Sequence, residues 1–413
     1  MEHTTEKKND DHNNKSYEKK YDFDRITDRK GTSSLKYYFG PERKGRDDLL
    51  PLWVADMDFR LPGEILDEIQ KRTAHGIFGY TDPKPDYKES VRTWFLEKHR
   101  WDVHPDWITI TPGVVYAIST AIRAFTKKGD AVIIQQPVYY PFSECIKDNG
   151  RKVINSQLIY ENGRYRMDYE DFEKKIQEHQ VRLFLLCSPH NPVGRVWSRE
   201  ELETIGEICL RHHVLIFSDE IHCDITYPGA VHTPFASIHK ELEDLVIVGT
   251  SPSKTFNLAG LQVSNIIIPN EKLRARFRRE NAAAGYSQAN VLGMTACKAA
   301  YDLGTPWYRE LLAYLKGNLD FTEHFLKTRF PRIHMVQPEG TYLIWLDFSE
   351  PGLTPARLET LITDKAHLWL DSGIIFGQET ALFERINIAC PRSILEQALL
   401  QLENALSDIG FSL

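Results

Sequence analysis

Long apolar runs are missing from this chain. Nowhere in its 413 residues does an uninterrupted apolar stretch approach the roughly 20 residues that a membrane-crossing helix requires. No membrane span is expected. A basic excess is missing as well. Lys and Arg number 51 against 58 Asp and Glu, a formal net charge of −7, so no surface for nucleic acid or anionic lipid is expected. Internal repeats are absent. The six cysteines, Cys145, Cys187, Cys209, Cys223, Cys297 and Cys390, never form Cys-x-x-Cys. Several sit in apolar runs, which reads as buried free thiols in the cytoplasm.

The opening residues, MEHTTEKKNDDHNNKSYEKKYD, lack the apolar core of a secretory signal. Their polarity reads as a disordered extension over residues 1–20, too short and too polar for a DNA-binding domain. The remaining length exceeds one ordinary core and implies a large and a small domain.

What the chain does have is a series of short, continuous apolar runs: Ile108–Ile110, Ala131–Ile134, Leu183–Leu186, Val214–Phe217, Leu245–Val248 and Ile266–Ile268. Continuous rather than alternating runs mark strands buried on both faces. Amphipathic segments lie between them. Val114–Phe125 reads as a helix, and Ser198 with Glu201 forms a capping-box signature for a helix running towards His212. This alternation predicts an α/β fold, a mainly parallel sheet of about seven strands with helices on both faces. Beyond residue 271 the pattern changes to helices over 271–284 and 305–328, a strand-like run Thr341–Asp347, a helix over 355–366, a run Arg385–Ile388 and a last helix over 392–408. A smaller α+β domain is expected there. The expected division is 21–60 packing with the small domain, 61–300 as the large domain and 301–413 as the small one.

Ligands of parallel α/β sheets bind beyond the carboxyl ends of the strands. The residues just past each run are therefore the candidates for chemistry. Thr111-Pro112-Gly113-Val114 forms a strand–glycine–helix junction, suited to an anion through free backbone N–H groups. Tyr139 comes after the second run and Asn191 after the third. Asp219 comes after the fourth, in Ser218-Asp219-Glu220-Ile221-His222. Lys254 comes after the fifth, in Ser251-Pro252-Ser253-Lys254. Singly, each has a plain structural explanation: an N-cap aspartate, a packed tyrosine, an Asn-Pro-x-Gly turn, a solvated lysine. Together they match the needs of pyridoxal phosphate: a lysine for covalent attachment, a carboxylate facing the pyridine nitrogen, a donor to the phenolic oxygen, an aromatic face and a phosphate cradle.

The motifs PLWVADMDF (51–59), GIFGYTDP (76–83), TPGVV (111–115), SPHNPVGR (188–195), SDEIHCD (218–224), SPSKTFNLAG (251–260) and RINIACPR (385–392) carry a resemblance. The chain resembles fold type I pyridoxal-phosphate enzymes of the class I/II aminotransferase superfamily, and most closely the MalY/PatB group of cystathionine β-lyases, or C–S lyases. The resemblance covers nearly everything after residue 21. It implies that Lys254 binds the cofactor covalently and acts as the mobile base, that Asp219 pairs with the pyridine nitrogen and that Asn191 donates to the phenolic oxygen. Tyr139 would stack on the ring. Gly113, Val114, Val115, Ser251 and Ser253 would hold the phosphate, with His222 nearby. Tyr80 would reach the phosphate from the other subunit of a homodimer. Arg385 would clamp the substrate carboxylate, with the backbone at Ala55 and the side chain of Asn191 beside it.

Two positions depart from the usual aminotransferase pattern. Gln262 stands where an arginine contacts the phosphate, and His222 stands where a tyrosine comes three residues after the aspartate. Both look like the C–S lyase branch. The implied activity is β-elimination from cystathionine or another cysteine S-conjugate, giving a thiol, pyruvate and ammonia. An aminotransferase on the same scaffold is the alternative. A Ser-x-x-Lys serine hydrolase reading of Ser251–Lys254 lacks its companion motifs. A cofactor-binding regulator would need a basic domain in front. A metal site at His222-Cys223-Asp224 would require adjacent residues to converge, so no metal is expected.

Overall fold

The computed structural model describes residues 20–408; the expected disordered extension, apart from Lys20, lies outside them. Seven strands form the main sheet: β1 Ile108–Thr111, β2 Ala131–Ile134, β3 Lys152–Asn155, β4 Leu183–Cys187, β5 Leu215–Asp219, β6 Val246–Thr250 and β7 Ser264–Ile267. Their order across the sheet is β1-β7-β6-β5-β4-β2-β3. The pairs β2/β3, β2/β4, β4/β5 and β5/β6 are parallel, whereas β7 runs antiparallel to both β1 and β6. All six apolar runs form strands. The seventh strand, Lys152–Asn155, is an edge strand with an exposed lysine and only partly buried companions, so it lacks the continuous apolar signature of a strand covered on both faces.

Alternate strand residues pack in opposite directions. Val132, Ile134, Leu183, Leu185, Phe217 and Ile247 join a core with the helices Val114–Phe125, Pro141–Asp148 and Glu271–Ala283. Ile133, Phe184, Leu186, Ile216 and Val248 join a second core with Pro85–His99, Tyr169–His179 and Arg199–His212. The last of these helices starts as expected. Ser198 Oγ accepts the Glu201 N–H at 3.2 Å, while Glu201 Oε2 accepts the Ser198 N–H at 2.8 Å.

Helix Val291–Leu303 and the long helix Thr305–Arg329 lead to a four-stranded antiparallel sheet. Its strands are β8 His334–Val336, β9 Leu343–Asp347, β10 Asp371–Ser372 and β11 Phe383–Asn387, in the order β8-β9-β11-β10. Helix Arg392–Asp408 comes last. The N-terminal stretch reaches across to this part of the fold. Leu50–Pro51 pairs in parallel with Leu368–Trp369, and the Asn387 N–H bonds the Leu52 carbonyl at 2.9 Å. Farther along, the Met57 N–H bonds Asn257 Oδ1 at 3.0 Å. One strap thus touches both the small sheet and the segment after β6.

Candidate active site

The groups at the ends of β1, β4, β5 and β6 meet in one cavity. Ala55, Gly113, Val114, Val115, Tyr139, Asn191, Asp219, His222, Ser251, Ser253 and Lys254 all line it. Asp219 is the last residue of β5. The strand runs past its apolar stretch because Ser218 and Asp219 continue the ladder opposite Val248 and Gly249. The neighbouring strand β6 can lie this close because residue 249 is glycine. A Cβ there would meet the Phe217 ring at 2.9 Å. Just beyond β6 the short helix Pro252–Thr255 carries Lys254 back over the cavity.

Lys254 Nζ donates to the Ala55 carbonyl at 2.7 Å, and the Tyr342 hydroxyl donates to the same oxygen at 2.9 Å. Part of the Lys254 side chain is accessible from the cavity, yet its amine is enclosed by protein. Desolvation lowers its pKa to about 8, against the opposing pull of the Asp56 and Asp219 charges; Arg385 adds to the lowering. Asp219 is 4% exposed, and its carboxyl receives the Ile221 N–H at 3.2 Å. Burial pushes it up to about 7, although the Ile221 N–H and the Lys254 charge favour the ionised form. A buried acid without a cation of its own, facing a cavity, fits a ligand that brings a protonated nitrogen.

The phosphate cradle is partly available. The helix Val114–Phe125 opens at Gly113, so its first N–H groups have no partner within the helix. The Ser253 side chain lines the same end. The Ser251 hydroxyl is already engaged: it donates to the Val263 carbonyl at 2.7 Å and accepts the Ser253 N–H at 3.1 Å. It shapes this corner rather than offering a free donor. Gln262 lines the cavity as well. These residues fit a phosphate held mainly by neutral N–H and hydroxyl groups.

His222 is buried and its Nδ1 has no hydrogen-bond partner. Burial and the Lys254 and Arg385 charges hold its pKa far below the ordinary value, so the imidazole is neutral. Asp224, two residues on, turns the other way. Its carboxylate accepts from Trp94 Nε1 at 3.0 Å and Thr255 Oγ1 at 2.6 Å and pairs with His99 Nε2 at 2.8 Å. Burial alone would raise its pKa, but the hydrogen bonds from His99, Thr255 and Trp94 outweigh it and hold it below the usual range. His99, Cys223 and Asp224 bring ligand atoms within 4.8 Å of one another, but the carboxylate is fully occupied by these donors. Asp224→Ala would leave three buried groups unpaired and is expected to cost about 3 kcal/mol of stability. Urea unfolding of the cofactor-free protein measures it; a loss below about 1 kcal/mol would show that the three groups find other partners.

Arg385 lies beside the cavity on β11. Its Nη1 donates to Asn191 Oδ1 at 3.0 Å and its Nη2 to the Trp53 carbonyl at 2.7 Å. Nη2 also pairs with Asp371, and Nε is buried without a partner. Tyr139 is tied to the same corner, since its N–H bonds the Asn191 carbonyl at 3.0 Å. Tyr80 stands apart. It is 95% exposed, close in sequence to the exposed Ile77 and Phe78. Sequence reasoning missed Asp371, Trp53 and Tyr342. Asp371 lies on a two-residue strand and Tyr342 ahead of β9, so no local pattern marks either. Trp53 acts through its carbonyl, which any residue could supply.

The family described as aminotransferase class I and II matches residues 47–402. The chain is 44% identical over 385 residues to cystathionine β-lyase PatB of Bacillus subtilis, covering 93% of this chain and 100% of that one. It is 33% identical to protein MalY of Escherichia coli, covering 94% and 99%. Among solved structures it is similar to cystalysin from Treponema denticola, which contains pyridoxal 5'-phosphate. The TM-score is 0.91 at 40% identity, covering 94% of this chain and 99% of that one.

Proposed function

The chain belongs to the aminotransferase class I and II family, and from that premise we propose that it is a pyridoxal-phosphate-dependent C–S β-lyase acting on L-cystathionine or related cysteine S-conjugates. The observation that carries this reading is the meeting of the Lys254 amine and the Asp219 carboxyl in one cavity, with Arg385 bonded to Asn191 beside it. The likeness to PatB and cystalysin favours elimination over amino transfer.

When bound, pyridoxal phosphate supplies an electron sink for the pair released from the substrate's Cα–H bond. The protein's own residues do the rest. Lys254 would hold the cofactor and carry the Cα proton. Asp219 would keep a proton on the pyridine nitrogen. Tyr139 would cover the ring, Asn191 would donate to the phenolic oxygen, and the N–H groups of Gly113, Val114 and Val115 with Ser253 would hold the phosphate. Ser251 orders this corner through its bonds to Val263 and Ser253. His222 packs as a neutral wall. Arg385 binds the substrate carboxylate, aided by the Ala55 backbone. Loss of the Cα proton and breakage of the Cβ–S bond release a thiol. The remaining three-carbon fragment takes up water to give pyruvate and ammonia.

The enzyme is proposed to be a homodimer in which the exposed Tyr80 enters the neighbour's phosphate site. A cytoplasmic location suits its six buried free thiols. Among the described residues no helix is long and apolar enough to cross a membrane.

Purified holoenzyme given L-cystathionine should form pyruvate and free thiol with no 2-oxo acid present. Turnover that requires a 2-oxo acid acceptor would instead make it an aminotransferase. A second expectation concerns loading. Only the neutral amine attacks an aldehyde, and Lys254 is neutral above about 8. Recombination of stripped protein with pyridoxal phosphate should therefore quicken as pH rises from about 6.5 towards about 8 and then level off. A flat profile would mean that burial does not set this amine's pKa.

A further inference from the structure

One charge near the Arg385 corner has no use in the proposed reaction. Arg385 lies at the inner wall, its Nη2 on the Trp53 carbonyl. The Trp53 ring stacks on Trp369, centroids 4.4 Å apart and planes 9° off parallel. The Arg43 guanidinium lies over the Trp53 ring, 5.5 Å from its centroid. Arg43 is exposed. Its basic neighbours have carboxylate partners: Lys44 pairs with Glu359, and Arg46 with Asp48 and Asp364. Among the described residues no ion pair engages Arg43.

Tyr140 feels the charges of both Arg43 and Arg385. Burial raises the pKa of this phenol and the Asp371 charge adds to the rise, while the charges of both Arg385 and Arg43 oppose it. The Tyr140 ring lies 6.0 Å from Phe376, and the Arg385 guanidinium lies 5.0 Å over that same Phe376 ring. Arg385 and Arg43 thus sit on the two ends of one residue, the first on the Trp53 carbonyl and the second over its ring, with the half-buried Tyr140 close to both charges.

We propose that Arg43 holds the far carboxylate of the thioether, so that the enzyme prefers cysteine S-conjugates ending in a carboxylate over simple S-alkylcysteines. This rests on the β-elimination reading of the site. With the near carboxylate on Arg385 and Cβ beside Lys254, the inner end of the cavity is taken by the phosphate cradle, and the sulfur substituent has to leave through the mouth. An apolar linker would pass along the half-buried Tyr140. A terminal carboxylate would then arrive at a guanidinium that has no competing partner. Arginine suits this place, because its planar fork can bind a carboxylate while its face rests on an aromatic ring.

The test compares two substrates with the same scissile bond, L-cystathionine and S-ethyl-L-cysteine, in the holoenzyme and in Arg43→Ala, Arg43→Lys and Arg43→Glu. Arg43→Ala should lower kcat/KM for cystathionine about five- to tenfold, mainly through KM, as expected for an exposed charge-assisted contact. Arg43→Lys should lose less and Arg43→Glu more. With S-ethyl-L-cysteine all variants should stay within about twofold of wild type, which also reports that the site is intact. Equal losses on both substrates, or no loss on cystathionine, would overturn the assignment of Arg43. A wild-type enzyme that eliminates from neither thioether would overturn the parent reading, and this one with it.

Discussion

Lys254→Ala removes β-elimination, lowering turnover by at least about 10⁴-fold, the upper range for a positioned acid–base group, while the protein still folds and still takes up pyridoxal phosphate. The chemical reason is double. The variant loses the covalent anchor and also the amine that carries the Cα proton, and among the described residues no other lysine lines the cavity. The fold should tolerate the change, because the amine's hydrogen bond to Ala55 contributes little against the burial cost of the charge. The Tyr342 hydroxyl remains on the same carbonyl. Three measurements check it: pyruvate formation, far-ultraviolet circular dichroism, and borohydride treatment. Borohydride should fix cofactor to wild type and not to the variant. Normal turnover in Lys254→Ala would refute the site assignment.

Asp219→Asn should cost about 10² to 10³ in kcat, the range seen when one preorganised electrostatic contact to developing charge is removed. An amide is nearly the same shape but cannot hold a proton on the pyridine nitrogen, so the ring loses its pull on the Cα electrons. Stability should move in the opposite sense. The folded-state pKa of Asp219 is raised to about 7 by burial, above the unfolded carboxyl near about 4. The wild type therefore carries no penalty below about pH 4, a growing one between about 4 and 7, and the full penalty above that. In the cofactor-free protein the uncharged amide removes this penalty, so the variant should be more stable at pH 8 by up to about 4 kcal/mol and no more stable at pH 4. Urea unfolding at the two pH values reads this directly. Unchanged kinetics would remove Asp219 from the catalytic apparatus. A variant no more stable than wild type at pH 8 would show that the buried charge is compensated.

Arg385→Ala should raise KM for every amino-acid substrate, since Arg385 would meet the carboxylate they share, whereas Arg43 variants should divide the substrates by their far ends. An unchanged KM would take Arg385 out of the substrate site. The two arginines thus give separable kinetic signatures, although both contact Trp53.

Strand content and strand–helix alternation were readable from local pattern, because strands covered on both faces must be apolar at every position. The candidate residues Gly113, Tyr139, Asn191, Asp219 and Lys254 were readable for a related reason: each comes just after an apolar run, and strand ends are where a parallel sheet places ligands. Lys152–Asn155 was not legible because an edge strand has an open side. The reversed direction of β7 was not legible either, since an apolar run has no direction until its hydrogen-bond partners are known.

The amino-acid sequence by itself determined the order of the elements, the capping box that starts the helix at Ser198, and the short reach of chain that puts Lys254 just past β6. Each depends on residues close together along the chain, where side-chain chemistry acts directly on the local backbone. Tertiary structure alone decided which groups face one another. Arg385 meets Asn191 across 194 residues and Trp53 across 332, Asp371 meets Arg385 through strand pairing, and Asp224 turns from the cavity towards Trp94 and His99 while His222 turns into it. The shifts of Lys254 towards about 8 and Asp219 towards about 7 belong to the same class. They arise from desolvation, and water is excluded only when distant segments close around a group.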